Sequence, residues 1–153
     1  MKVLFVNLVY GTGSTGKIIA DIMNLLKKHG NDVKALYGTG VCSDNADAVK
    51  VSGDFNAVSR FTDHAGLYSW AATRKMIREI RAFQPDLIHL HTLHGFYVNY
   101  EMLFRFLKEA NIPVVWTLHD CWTFTGHCTH FSQVKCVQWQ TECRDCKLLY
   151  RYP

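Results

Sequence analysis

A glycine-rich stretch near the N-terminus has the composition of an anion-binding turn. Residues Gly11–Gly16 read GTGSTG and lie between an apolar run and a segment with helical periodicity. Such a turn offers free backbone N–H groups and the positive end of a helix dipole to a phosphate. Gly13 and Gly16 would let the backbone come close, and Ser14 or Thr15 could cap the helix or hydrogen-bond a phosphate. A tight turn that serves packing alone is the other interpretation.

Two more specific nucleotide motifs fit the same stretch only in part. The dinucleotide pattern GxGxxG also needs an acidic residue at the end of the second strand, where this sequence has Tyr37 and Gly38. The P-loop pattern needs Ser or Thr after Lys17 to ligate magnesium, and Ile18 stands there. NAD binding and NTP hydrolysis are therefore disfavoured, and a more general anion site remains.

Histidines follow two later apolar runs, where hydrogen-bonding or acid–base chemistry is expected. His91 and His94 stand at the end of one run, and His119 stands beside Asp120 after the next. An imidazole oriented by a neighbouring carboxylate could hydrogen-bond a hydroxyl or a phosphate. His89 shares a strand face with His91, and its expected place is the core. For His119 a structural hydrogen bond across the loop is the competing interpretation.

Five of the six cysteines lie between residues 121 and 146, which indicates a metal site or a thiol cluster. Two of them form a CxxC pair, whose turn brings two sulfurs to one metal. His127 and His130 offer nitrogen ligands instead. Disulfides, or thiols packed under Trp122 and Trp139, are further alternatives. The prediction is a structural zinc ion held by four thiolates, those of Cys128, Cys136, Cys143 and Cys146.

Composition restricts the class of protein. Apolar residues make up 48 % of the 153 residues, charged residues 20 %, and the formal net charge is +4, as in an ordinary soluble domain. No block of like charge favours nucleic acid, and no apolar stretch is long enough to span a bilayer. The N-terminus lacks a small-residue cleavage site and is predicted to be a buried strand, not a signal peptide. A cytoplasmic location with reduced or metal-bound cysteines is expected.

Strands and helices alternate along the chain and must position these residues. Helical spacing of apolar residues predicts helices after Gly16, Ser69 and Asn99, while Phe55–Gly66 fits helix or loop. Apolar runs predict five strands, at Lys2–Val9, Val33–Tyr37, Ala48–Ser52, Leu87–His91 and Val114–Leu118.

This alternation predicts an α/β fold with a doubly wound, mainly parallel, Rossmann-like sheet. The sheet domain is assigned to residues 1–120, and a Cys-rich segment packed on the same domain to residues 121–153. Ligands bind beyond the carboxyl ends of the strands in such sheets. The glycine stretch and the histidines fall at those ends.

Longer stretches of the sequence resemble bacterial family 4 glycosyltransferases. Residues Pro85–Gly95 read PDLIHLHTLHG and are similar to the family's PDIIHLHNLHG segment. Residues Trp116–Cys128 read WTLHDCWTFTGHC and are similar to its WTLHDCWAFTGHC stretch. The later cysteines and the final Tyr152 and Pro153 match a subgroup that builds exported polysaccharides such as colanic acid. The resemblance covers essentially the whole chain.

The resemblance implies the N-terminal, acceptor-side half of a two-domain GT-B enzyme. Such an enzyme transfers a hexose from a nucleoside diphosphate sugar to a saccharide or lipid-linked acceptor, with retention and without an obligatory metal or cofactor at the chemistry. The family continues with a second domain, so this chain is expected to need that domain and to be inactive alone. Tyr68 and Trp70, beside basic residues, could touch the inner face of a membrane. A non-catalytic Rossmann-type binding module with a structural zinc is the alternative function.

The resemblance also implies roles for particular residues. His119, with Asp120, corresponds to the family's cleft histidine near the donor sugar and is the expected catalytic pair. The donor diphosphate is expected at Gly13, Ser14, Thr15 and Gly16. The acceptor is expected at His91, His94, Arg60 and Asp63.

Overall fold

The structure is a computed structural model that describes residues 1–40, 44–52, 66–125 and 127–146. The chain divides into two compact units, Met1–Thr117 and Leu118–Pro153. The sequence places this boundary after Asp120, and the structure places it after Thr117. Arg60 and Asp63 lie outside the described residues, as does the segment Phe55–Gly66 except for its last glycine. No helix in the described part of the chain is long and apolar enough to cross a membrane.

Unit 1 (Met1–Thr117) contains a sheet of five parallel strands in the order β3-β2-β1-β4-β5. The predicted parallel Rossmann-like sheet is therefore confirmed. Several strands end earlier than predicted, because apolar residues continue into the turns that follow them. The strands are β1 (Lys2–Asn7), β2 (Asp32–Tyr37), β3 (Ala48–Lys50), β4 (Leu87–Leu90) and β5 (Val114–Trp116).

Helices cover both faces of the sheet, which makes it doubly wound. Along β1, Val3 and Phe5 belong to the core cluster beneath the first helix, whereas Leu4 and Val6 belong to the cluster beneath the other two. Successive strand residues point to opposite faces, so the first helix lies on one face and the others on the opposite face. The helices are α1 (Gly13–Lys28), α2 (Trp70–Phe83) and α3 (Tyr100–Ala110).

The side of the sheet to which the chain adds strands changes between β1 and β4. From β1 it builds outward through β2 and β3 on one side, and then through β4 and β5 on the other. In open parallel sheets, ligands bind outside the carboxyl ends of the strands at this switch point. In this chain the ends that meet there are Asn7 of β1 and the segment from His91 onward after β4.

The helix caps differ from the predictions at α1. That helix already begins at Gly13, its N-cap is Thr12, and the Thr12 side chain makes no capping hydrogen bond. Of the two roles considered for Ser14 and Thr15, capping is excluded, because both residues lie inside the first turn. At α2 the N-cap is Ser69, but its hydroxyl donates to the carbonyl of Phe96, 2.6 Å away, instead of capping.

Asn99 caps α3, and loss of its side chain should measurably lower the stability of the protein. Its Oδ1 accepts the Met102 N–H (2.9 Å) and its Nδ2 donates to the Leu67 carbonyl (2.7 Å). We expect Asn99→Ala to lower the free energy of unfolding by about 1–2 kcal/mol in urea denaturation, because a helix N–H and a carbonyl lose their partner. Asn99→Ser keeps a capping acceptor without placing a carboxylate beside the Leu67 carbonyl, and it should lose less. Equal losses for the two variants would show that the cap itself contributes little.

Unit 2 (Leu118–Pro153) has little regular structure in its described part. This part contains one short helix, α4 (Trp122–Thr125), and two single-turn 3-10 helices, Phe131–Val134 and Gln138–Gln140. The Cys121 N–H donates to the carbonyl of Thr129 at 3.0 Å. The described part of this unit is therefore held largely by turns.

Candidate functional site

Asn7, the last residue of β1, joins two loops at the carboxyl edge of the sheet. It is only 2 % exposed. Its Oδ1 accepts the Thr92 N–H (3.0 Å), while its Nδ2 donates to the Val9 carbonyl (2.8 Å) and to Thr15 Oγ1 (3.2 Å). One buried amide thus connects the first turn of α1 to the loop after β4. Sequence reasoning missed Asn7, although a single amide inside an apolar run was a signal for it.

The glycine stretch forms the exposed N-terminal turn of α1. Gly11, Gly13 and Ser14 are exposed, and no acidic residue lies in the first turn. The first N–H groups of a helix have no partner within the helix, so this turn presents donors and positive dipole charge outward. The glycines also serve packing, since a Cβ on Gly16 would lie 3.1 Å from Val9 Cγ2. Both interpretations of the stretch therefore have a structural basis.

The two histidines after β4 have different surroundings. His91 is buried, its ring centroid lies 4.1 Å from that of His89, and its carbonyl accepts the Trp116 indole N–H at 2.8 Å. His89 Nε2 lies 2.8 Å from the hydroxyl oxygen of Thr117. His94 is partly exposed. The structure thus presents His94 at the surface, whereas the His91 ring packs inside the sheet domain.

The rest of the loop between β4 and α3 is closely packed. The Tyr97 hydroxyl donates to the Thr92 carbonyl at 2.8 Å, and burial, with a smaller effect of Tyr100, raises the pKa of Tyr97 well above its ordinary value. The phenol therefore remains a neutral donor. Phe96 adopts a left-handed φ of 64°, and a Cβ on Gly95 would lie 2.6 Å from Leu8 Cδ1. Backbone strain of this kind persists only where the surroundings enforce it.

His119 and Asp120 belong to unit 2. His119 is half-buried, and Asp120 Oδ1 accepts the Trp122 N–H at 2.9 Å, at the start of α4. The Asp120 carboxylate thus has a defined structural role at the entry to this short helix. This contact of Asp120 lies within unit 2.

One of the larger cavities described in unit 1 lies near the amino ends of the strands, at the opposite end from Asn7. It has a volume of about 520 Å³ and is lined by Ile80, Pro85, Phe106 and Ile112, among others. Pro85 and Ile112 precede β4 and β5, so this cavity opens near the amino ends of the strands. Ligands of doubly wound sheets bind at the carboxyl ends. The candidate site is therefore the junction of the glycine turn with the β4–α3 loop, and not this cavity.

The predicted metal ligands lie in unit 2, and all of them are free thiols. Cys128 is buried, Cys136 and Cys146 are partly exposed, and Cys143 is exposed. Within the described residues, no group of three or more His, Cys, Asp or Glu side chains is arranged as a formed metal site. The zinc site therefore stays a prediction.

The fold and this junction define a Rossmann-type domain with an exposed helix N-terminus at its switch point, and comparison with known proteins gives its family. The family model described as Glycosyltransferase Family 4 matches residues 15–144. The chain belongs to Glycosyltransferase Family 4, which confirms the resemblance of its motifs.

One relative of known origin is similar to part of the chain. It is a protein of Escherichia coli (strain K12), provisionally named colanic acid biosynthesis glycosyl transferase WcaC, and it is 35 % identical over 78 residues. The match covers 48 % of this chain and 19 % of the relative. The chain therefore matches a minor part of that protein's length.

Proposed function

We propose that the chain is the acceptor-side domain of a glycosyltransferase acting in polysaccharide biosynthesis. In this proposal a hexose passes from a nucleoside diphosphate sugar to a saccharide or lipid-linked acceptor. The observation that carries it is the Asn7 junction, which holds an exposed helix N-terminus beside the β4–α3 loop at the switch point of the sheet. Membership of Glycosyltransferase Family 4 and the similarity to a protein named for colanic acid biosynthesis support it.

The glycine turn would stabilise the leaving diphosphate. Negative charge grows on that group as the bond to the sugar breaks, and preorganised N–H donors are the usual means of stabilising such charge. The exposed first turn of α1, which includes Gly13, Ser14, Thr15 and the buried Gly16, has these donors and no competing carboxylate. Its attachment to Asn7 would keep the donors in place while charge develops.

The remaining roles follow from the family. His119 with Asp120 would act at the donor sugar, and His94 with His91, Arg60 and Asp63 would bind the acceptor. Because the ring of His91 is buried, this residue could contact the acceptor only through its backbone or through a neighbouring residue. A second domain, as implied by the family resemblance, would supply most contacts to the nucleotide. The 153-residue chain alone should therefore bind the donor weakly and show no transfer.

The proposed donor site can be tested with uridine 5′-diphosphate and a charge change in the first turn of α1. We expect the diphosphate to bind with millimolar affinity and to shift the amide NMR signals of residues 11–16. Ser14→Glu should weaken binding about fivefold, because an unscreened charge pair at about 4 Å costs about 1 kcal/mol even in bulk water. The same carboxylate should stabilise the helix N-terminus slightly, so weaker binding cannot reflect unfolding.

Ser14→Gln is the matched control, since it has the same length without the charge. It should bind the diphosphate nearly as the unmodified chain does. Diphosphate-induced shifts confined to other residues, or equal affinity of the two Ser14 variants, would refute the donor site. Sugar transfer by the chain alone would contradict the need for a second domain.

A further inference from the structure

The described part of unit 2 lacks an apolar core that could hold it together. Among its residues 118–125 and 127–146, only Cys128 and Thr129 are buried. The rings of Phe131 and Trp139 lie with centroids 4.9 Å apart and pack with Phe124, which is still 51 % exposed. Segments of this size without a core usually depend on disulfides or a structural metal. The cysteine sulfur atoms of unit 2 are therefore its candidate stabilising groups.

Four of its thiols converge on one another. Cys128 is 6 % exposed, and its thiol lies within range of electrostatic interaction with the thiols of Cys146, Cys143 and Cys136. Cys136 and Cys146 line the same cavity, of about 240 Å³. Cys143 is joined to Cys146 by the two-residue CxxC spacing. Cys146 thus contacts or neighbours each of the other three sulfur-bearing residues.

The backbone around these thiols is shaped by two left-handed residues. Lys135 (φ 51°) directly precedes Cys136, and Asp145 (φ 46°) directly precedes Cys146. Side chains other than glycine adopt this conformation at a cost, and such residues cluster at ligand-binding turns. The Arg144 N–H donates to Gln138 Oε1 at 3.1 Å, which ties the CxxC turn to the segment after Cys136. Two sharply turned segments therefore present their thiols within one local structure.

We propose that Cys128, Cys136, Cys143 and Cys146 form a structural zinc site. Four converging sulfurs match the tetrahedral four-cysteine set of closed zinc sites, whereas a single disulfide would use only two of them. Since the described side chains are not arranged as a formed site, binding must draw the sulfurs to about 2.3 Å from the ion. Each thiol releases its proton to solvent as its bond to zinc forms. This proposal does not depend on the glycosyltransferase function.

Metal analysis of the purified chain tests the site directly. Protein purified with zinc in the buffers should contain about one zinc per chain, and Co²⁺ added to the metal-free protein should give a thiolate-to-cobalt absorption band. Cys128→Ser and Cys146→Ser should lose both signals. Cys121→Ser is the matched control and should keep both, because Cys121 lies in the same unit but is not among the thiols that act on Cys128.

Hydrogen exchange supplies a readout that does not rely on variants. Removing zinc with a chelator should speed amide exchange in unit 2, because binding energy of a structural zinc is folding energy. Unit 1 serves as the internal control and should keep its protection. Protein purified with zinc in the buffers that contains no metal and alkylates at all four thiols without denaturant, or that has a disulfide between any two of them, would overturn the proposal.

Discussion

Replacing Asn7 by leucine is expected to lower the free energy of unfolding by about 2–5 kcal/mol. Leucine is similar in volume but leaves the Thr92 N–H and the Val9 carbonyl without the partners that Asn7 provides. A buried polar group that loses its partner costs about 1–3 kcal/mol, and the hydrogen bond to Thr15 is lost as well. Urea denaturation followed by tryptophan fluorescence measures the change.

Two further variants separate the contacts of Asn7. Thr15→Val removes only the hydroxyl at the glycine turn and should cost about 1 kcal/mol. Asn7→Asp keeps an acceptor for the Thr92 N–H but places a carboxylate against the Val9 carbonyl, so at neutral pH it should cost more than Thr15→Val. A loss below about 0.5 kcal/mol for Asn7→Leu, the range of ordinary surface substitutions, would show that the junction does not hold the two loops.

Gly38→Ala is expected to destabilise unit 1 by about 3 kcal/mol. An added Cβ would lie 2.2 Å from Cγ of Tyr97 and 2.5 Å from its Cβ, distances that no packed structure tolerates. Neither side can move freely, because the Tyr97 side chain is fully buried and donates to the Thr92 carbonyl. The Gly38 N–H is held by the carbonyls of Asn7 and Leu8. Overpacking of this kind usually costs about 1–3 kcal/mol, and the rigid backbone on both sides favours the upper end.

Gly30→Ala is the control for Gly38→Ala. Gly30 has a φ of 73° and open space where a Cβ would lie, so alanine there costs only the left-handed conformation, about 1–2 kcal/mol. The comparison of midpoints in urea therefore isolates the steric overlap at Gly38. If the two glycine variants unfold at the same urea concentration, the β4–α3 loop is more adaptable than its packing indicates.

The prediction of the fold succeeded because buried parallel strands are continuous apolar runs. Both faces of β1 are covered, so Val3–Val6 are apolar without a break and polarity returns only at Asn7, where the strand ends. At β5 the same signal was less informative, since Val114 and Val115 are 41 % and 47 % exposed although their sequence is as apolar as a central strand. Position at the sheet edge depends on strand order, which periodicity does not encode.

Local motifs predicted the position of the glycine turn and the family of the chain. The glycine turn lies where the strand-to-helix pattern placed it, and the PDLIHLHTLHG and WTLHDCWTFTGHC segments led to the correct family. The exact helix start was missed, because α1 already begins at Gly13 and only the backbone geometry shows it. Local patterns thus locate a turn to within a few residues. The roles of the side chains in that turn depend on residues that are distant in the sequence.

By itself the sequence determined the five strands, their alternation with helices, the position of the glycine turn and the family. These follow from local periodicity and from motifs that are contiguous in the chain. Only the tertiary structure decided that Asn7 contacts Thr92, 85 residues away, that His91 is buried while His94 is partly exposed, and that Cys128 lies near Cys146. Such pairs form because strand order and turn geometry bring distant segments together, and no local pattern records which segments those are.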